Sequence, residues 1–272
     1  MTPDRDRCRG FWQLLRFIVL FAAPAGVLAQ PTLLSGTIGK APVMLSLNDD
    51  NGRLSGWYVY LRVGKQIKLA GTRKADGAFA LEEFAVDDPK QRKRTGYFAG
   101  AVAQGRWTGT WHKPEGGADV NVDLSENHAT LANSNIDLKC AATRTDRRSG
   151  DTAKYTLALT LANGAMSRFS MAQHITARSG VDNACMMDLG DLKPLRSDVG
   201  LLLGTSDLAE DGTPRCTIRL IEAGDYLFVQ IGDVTAKDND CRGGEEIAYC
   251  SPRQYWADLI VDRKSSACQP VE

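Results

Sequence analysis

The sequence predicts an all-β protein in two parts: an N-terminal antiparallel meander or small barrel of about eight strands, and a C-terminal β domain stapled by disulfides. Three observations carry this expectation. Apolar residues recur with period 2 over short stretches, glycine-rich turns separate those stretches, and every cysteine after the N-terminal leader lies beyond residue 139. Period 2 puts alternate side chains on one face of a strand, and in the first part no stretch sustains the 3.6-residue period of a helix.

The 272 residues carry 33 basic and 33 acidic side chains, 43% hydrophobic residues and seven cysteines. This balance excludes a collagen-like repeat, an acidic disordered tail and a polytopic membrane protein. It also argues against a nucleic-acid partner, which needs a concentrated basic surface to displace counterions from phosphate. Residues 1–16 hold Arg5, Arg7, Arg9 and Arg16 against Asp4 and Asp6, and residues 17–29 are apolar and end in small residues. That is the layout of a cleaved secretory signal over residues 1–29, with Val27 and Ala29 at positions −3 and −1 of a cut between Ala29 and Gln30. The run is shorter than a membrane span and broken by Pro24, so no stable span is expected after cleavage, and a periplasmic or secreted location follows. Removing 29 of 272 residues leaves 243, with 29 basic and 31 acidic side chains, a slightly acidic chain.

The leader also removes Cys8, leaving Cys140, Cys185, Cys216, Cys241, Cys250 and Cys268. An even number in an exported chain reads as a disulfide framework. No Cys-x-x-Cys pair and no zinc-finger histidine spacing occurs, so neither a metal nor a cofactor is expected. Cys241 and Cys250 enclose a loop short enough to be closed by one bridge, and Cys241–Cys250, Cys140–Cys185 and Cys216–Cys268 are the pairs expected among the 15 possible connectivities. The cysteine-free first part, 30–126, and the stapled second part, 127–272, meet at the polar stretch 125–130.

In the first part, strands are expected at 33–38, 43–47, 54–62, 66–71, 78–84, 96–102, 106–112 and 120–124. Asp76-Gly77 and Gln104-Gly105 are hairpin signals. Asn48-Asp-Asp-Asn-Gly52 invites a calcium reading, but aligning Gly52 with the loop glycine leaves Tyr58 where a bidentate Glu is needed, so a turn is expected there. Gly52-Arg-Leu-Ser-Gly-Trp57 echoes Gly105-Arg-Trp-Thr-Gly-Thr-Trp111, and glycines inside strands mark the bends that curve a sheet toward closure. Closure removes unpaired edges, hence the barrel expectation.

In the second part, strands are expected at 136–143, 154–162, 168–173, 199–204, 215–222, 226–231 and 256–262. Gly224-Asp225 joins two of them, with Ile218 and Leu220 on one parity and Leu227, Val229 and Ile231 on another, giving the pair one buried face. Stretches 144–152 and 179–183 read as polar loops, and Ser251-Pro252 as the start of a single helical turn.

The aromatic residues are the main candidates for a ligand site. Trp57 and Val59 point one way and Tyr58 and Tyr60 the other, so one pair leaves the core face; Trp107 and Trp111 share a parity. Core packing is the default for such residues, and an aromatic-lined barrel mouth with Trp57, Tyr58, Tyr60, Trp107 and Trp111 is the functional alternative. Lys90, Arg92, Lys93 and Arg94 form the densest basic run, a solvated loop or a dock for an anionic partner. His112, His128 and His174 are scattered, and no Gly-x-Ser-x-Gly elbow accompanies them. Asp188 and Asp191 offer a candidate acid/base pair whose separation nothing in the sequence fixes, and a loop or edge strand packed by Met186, Met187, Leu189 and Leu192 is the favoured account.

Through Gly36-Thr-Ile-Gly-Lys40, Gly56-Trp-Tyr-Val-Tyr60 and Gly109-Thr-Trp111 the first part resembles a Gly/Tyr-rich β-meander of uncharacterised secreted proteins from Gram-negative bacteria. Through Cys216-Thr-Ile-Arg-Leu220, Tyr226-Leu-Phe-Val-Gln230, Asp240-Cys-Arg-Gly243 and Tyr249-Cys-Ser-Pro-Arg253 the last 60 residues are similar to disulfide-bonded β modules of bacterial lysozyme inhibitors. Ser55-Gly56-Trp57-Tyr58 is one residue short of the Ser-Gly-x-x-Tyr of one inhibitor family, so no inhibitory loop is transferred. The expectation is an exported non-catalytic binding or inhibitor-type protein of the bacterial envelope, its partner an envelope protein or glycan. The alternatives are an envelope hydrolase using a loop-borne carboxylate pair and a structural envelope protein.

Overall fold

The computed structural model describes residues 31–85, 93–146, 149–190, 192–197, 199–209, 212–232, 241 and 256–271. The leader and its expected cut site are therefore outside the described residues, as are Lys90, Arg92, Asp191, Cys250 and the Ser251-Pro252 turn. The described chain is all-β, with no helix.

The first eight strands are β1 (Thr32–Ile38), β2 (Ala41–Asp50), β3 (Arg53–Tyr60), β4 (Gln66–Arg73), β5 (Ala78–Phe84), β6 (Arg94–Ala103), β7 (Arg106–His112) and β8 (Val120–Glu126). Each pairs antiparallel with the next, and β8 returns to β1 from Leu34↔Glu126 to Ile38↔Val122, so the meander closes into a barrel. Two hairpins turn at Asn51-Gly52 and Gln104-Gly105, where all four residues have positive φ. This backbone matches the right-handed twist of the flanking strands. The bore is filled by one parity of every strand, among them Leu34, Leu45, Leu54, Tyr58, Leu69, Phe79, Leu81, Phe98, Trp107 and Leu124.

The second part holds two antiparallel sheets. The first contains β9 (Ile136–Thr145), β10 (Thr152–Ala162), β11 (Ala165–Thr176) and β12 (Asp182–Leu189). The second contains β13 (Leu192–Leu195), β14 (Leu201–Thr205), β15 (Thr217–Ala223), β16 (Tyr226–Ile231), β17 (Leu259–Asp262) and β18 (Cys268–Pro270). They face each other across one core, with Leu157, Leu159, Phe169, Met171 and Met187 from the first sheet meeting Leu203, Ile218, Leu220, Leu227, Val229 and Leu259 from the second.

The buried face expected of β15 and β16 is present, but the opposite face is buried as well. Ile221, Ala223, Phe228 and Ile260 leave the sandwich core and pack against Leu33, Met44, Val59 and Leu61 on the outside of the barrel. Asn127 Nδ2 donates to the Glu222 carbonyl at 2.7 Å, and Gln269 Nε2 donates to the Leu61 carbonyl at 2.6 Å across the same junction. The six-stranded sheet is thus the middle of three layers, between the four-stranded sheet and the barrel. Burial on both faces is why β15 to β17 read as nearly continuous apolar runs.

The expected disulfide pairing is corrected. Cys140 bonds Cys268 and Cys216 bonds Cys241, and Cys185 is also disulfide-bonded. Cys140 lies on β9 and Cys268 on β18, edge strands of the two sheets that lie side by side, with their Cα atoms 5.8 Å apart. Cys185 lies on β12, at the far edge of the four-stranded sheet from β9. Three strand spacings of about 4.8 Å separate those edges, beyond the Cα reach of a disulfide. The expected loop at 179–183 is also shorter, since Asp182 and Asn183 begin β12. Three strands go beyond the expected seven. β13 and β18 are short edges that each contain a proline, the position in a sheet where the missing N–H is tolerated, and β12 is the edge-strand alternative for the Met186–Leu189 stretch.

Candidate functional site

Strand alternation decides where the candidate aromatic residues go. On β3, Trp57 and Val59 face outward, and Trp57 stacks on Phe228 of the six-stranded sheet with ring centroids 5.9 Å apart. Tyr58 and Tyr60 face inward. The pair that leaves the barrel core therefore packs between the barrel and the second part, Val59 fully buried and Trp57 partly so.

At one end of the bore, Tyr58, Tyr60 and Trp111 gather around Glu83. On β5, Glu83 continues the inward parity of Phe79 and Leu81 and is 5% exposed. Its Oε2 accepts from the Tyr58 hydroxyl at 2.8 Å and from Trp111 Nε1–H at 2.8 Å, and its Oε1 accepts from the Thr95 hydroxyl at 2.7 Å. Two local features make room for this. The β5–β6 register shifts between Glu83 and Phe84, a bulge of the kind that re-aims a neighbouring side chain, here Thr95. A Cβ on Gly96 would stand 2.2 Å from Trp111 Nε1 and 2.8 Å from Glu83 Oε2, so only glycine lets the indole reach the carboxyl.

The Tyr58 ring meets Tyr60 and Phe98 edge-on, with centroids 5.2 and 5.8 Å away, and the two tyrosine oxygens are 3.4 Å apart. Burial, followed by the negative charge of Glu83, pushes the Tyr58 phenol far above its ordinary range, and burial also raises Tyr60. Both phenols stay protonated, and that of Tyr58 donates to Glu83. Among the described residues no Lys, Arg or His forms an ion pair with Glu83.

The opposite end of the bore opens into a cleft of about 550 Å³ over Trp107, Leu47, Leu54 and Val102, with Thr32, Asp49, Arg73, Lys74 and Glu126 among its polar lining. Trp107 is 5% exposed and packs on Phe79, ring centroids 4.9 Å apart; its buried Nε1–H has no hydrogen-bond acceptor among the described residues. Asp49 Oδ1 accepts from Gly52 N–H at 2.8 Å and its Oδ2 from Arg73 Nε at 2.7 Å. Asn48–Asp50 thus ends β2 and the turn expected over 48–52 narrows to Asn51-Gly52, with the Asp49 carboxylate tied to β4, and no cluster of metal ligands occurs among the described residues.

The five candidate aromatics thus fall in three places: Trp57 at the junction, Tyr58, Tyr60 and Trp111 around Glu83, and Trp107 under the cleft. Of the basic run, Lys93 is exposed, while Arg94 pairs with Glu82 at 3.3 Å and donates to the Tyr97 hydroxyl at 3.2 Å. Asp188 is exposed on β12. The histidines are far apart in the fold: His112 stacks on Tyr97, His128 lies 3.3 Å from Glu126 and His174 lies 3.7 Å from Asp182. Sequence reading missed Glu83 and Thr95. Glu83 had a usable signal, a carboxylate in phase with Phe79 and Leu81, whereas Thr95 reaches the bore only through the bulge. Compared with known proteins, the chain has no significant match to a family model, a curated sequence or a solved structure.

Proposed function

We propose that the protein is an exported, non-catalytic binding protein of the bacterial envelope that takes a small ligand into the end of its barrel above Trp107. The observation that carries this reading is the cleft of about 550 Å³, with an apolar floor and a polar lining that includes Arg73 and Lys74. Its size lies within the range of small-molecule sites, and a few polar groups around an apolar floor fix a ligand's orientation. The secretory layout of residues 1–29 and the disulfides favour a location outside the cytoplasm.

The test has two arms. Fractionation of cells expressing the full chain should find the protein in the periplasm or medium, shortened by about 29 residues. The purified protein, screened by thermal shift against soluble glycans and metabolites of the envelope, should give at least one saturable stabiliser. Lys74→Glu with Trp107→Phe should weaken that stabiliser. Retention of the leader in the cytoplasm, or a stabiliser indifferent to both substitutions, would overturn the reading.

A further inference from the structure

An eight-stranded bore of this size is normally filled with apolar side chains, and the β5 parity begins that way with Phe79 and Leu81. A carboxyl at the next inward position is costly to bury and is held only by donated hydrogen bonds. The barrel commits Tyr58, Trp111 and Thr95 to it, together with a bulge and an obligatory glycine. Hydrogen bonding satisfies the oxygens without supplying a positive charge. A local break in core patterning supported by this many surrounding devices is the mark of a functional position.

The surroundings of Glu83 are aromatic. Tyr58 is fully buried, whereas Tyr60 and Trp111 are half-buried, so solvent reaches those two rings while Glu83 lies behind them. A carboxylate beside aromatic rings, with no ion-pair partner among the described residues, is complementary to a compact organic cation. The carboxylate supplies charge, and the ring faces supply quadrupolar attraction and apolar contact for N-methyl or methylene groups. A carboxylate has about four lone-pair sites, of which Glu83 uses three, leaving one for an ammonium N–H.

We propose that the Glu83 end of the barrel binds a small organic monocation of the ammonium class, seated on the Glu83 carboxylate against Tyr60 and Trp111. This site lies at the other end of the bore from the Trp107 cleft and does not depend on it.

The test titrates the purified protein with ethanolamine and with tetramethylammonium, following heat and tryptophan fluorescence, with potassium chloride at matched ionic strength as reference. Saturable one-site binding of at least one ammonium is expected. Glu83→Gln should weaken it about tenfold or more, since it removes the charge while keeping the side-chain shape. Tyr60→Leu, at a half-buried position, provides a second variant if Glu83→Gln does not fold, and it should weaken binding severalfold. Asp188→Asn, on the far sheet, should bind as the parent does. No saturable ammonium binding, equal binding of potassium, or unchanged affinity in Glu83→Gln or folded Tyr60→Leu overturns the proposal. Because these variants leave Lys74 and Trp107 intact, the result is independent of the cleft's test.

Discussion

Tyr58→Phe isolates the hydroxyl that links the aromatic core of the barrel to Glu83. The ring contacts with Tyr60 and Phe98 persist, no cavity forms, and the loss is the 2.8 Å hydrogen bond to Oε2. Hydrogen bonds to charged groups contribute about 1.5–3 kcal/mol. Trp111 and Thr95 still serve the carboxyl, so the lower part of that range applies, about 2 kcal/mol. With a urea m-value of about 2 kcal/mol/M, the midpoint should fall by about 1 M. Tryptophan fluorescence reports this transition well, because Trp57, Trp107 and Trp111 all sit in barrel strands. Glu83→Leu should cost more, because it leaves the Trp111 N–H without its acceptor. In that background Tyr58→Phe should cost little, giving a coupling of about 1 kcal/mol or more between the two positions. A Tyr58→Phe protein within about 0.5 kcal/mol of the parent, or the same cost with and without Glu83, would refute the hydrogen-bond account.

Other outcomes follow from the same geometry. Tyr58 and Tyr60 have raised pKa values in the folded protein, so above pH 10 the unfolded chain loses phenolic protons that the folded one keeps. Stability should be intact below pH 10 and fall above it by up to about 1.4 kcal/mol per pH unit per tyrosine, less steeply in Tyr58→Phe, as read by urea midpoints from pH 8 to 11.5. Phe228→Ala, at 1% exposure against Trp57, should cost about 3–5 kcal/mol and separate the unfolding of the barrel from that of the sandwich, read as two transitions in calorimetry. Replacing Cys140 and Cys268 with Ser opens a cross-link between residues 128 apart and should cost about 5 kcal/mol by chain entropy; Cys216 and Cys241, 25 apart, should cost about 3.5, and denaturant midpoints rank the two.

The barrel strands were legible because each carries its period-2 pattern and its turn within a few residues. Asn51-Gly52 and Gln104-Gly105 specify hairpins locally, and the opposite facings of Trp57 and Tyr58 follow from strand geometry alone. The pairing of cysteines was not legible, because it depends on which sheet edges meet: Cys140 finds Cys268 across 128 residues only after ten strands have been ordered. The short edges β13 and β18 escaped for the opposite reason, having too few residues and a proline each to show a period. Around Glu83 the sequence shows the carboxylate out of character with its neighbours but not its donors. Thr95 comes from a register shift, and Tyr58 and Trp111 come from strands 25 and 28 residues away.

The two apolar parities of β3 connect docking to the candidate site. Trp57 and Val59 are held by Phe228 and Ile260, and the residues between and after them are Tyr58 and Tyr60. Because alternate side chains share one backbone, a shift of β3 that relaxed the outer contacts would also move the tyrosine hydroxyls relative to Glu83. The same logic applies on β2, where Met44 faces the six-stranded sheet and Val43 and Leu45 face the bore. The second part of the chain thus acts as a rigid support for one wall of the barrel, while Glu83, Thr95 and Trp111 come from β5, β6 and β7, which contribute nothing to the buried junction cluster. A polar cluster built across the bore between a braced wall and a free one is fixed on the tyrosine side and adjustable on the tryptophan side. Loss of bracing in Phe228→Ala should therefore lower the alkaline resistance of the Tyr58 phenol as well as overall stability, whereas an exposed substitution on the free wall, such as Thr108→Ala, should leave both unchanged.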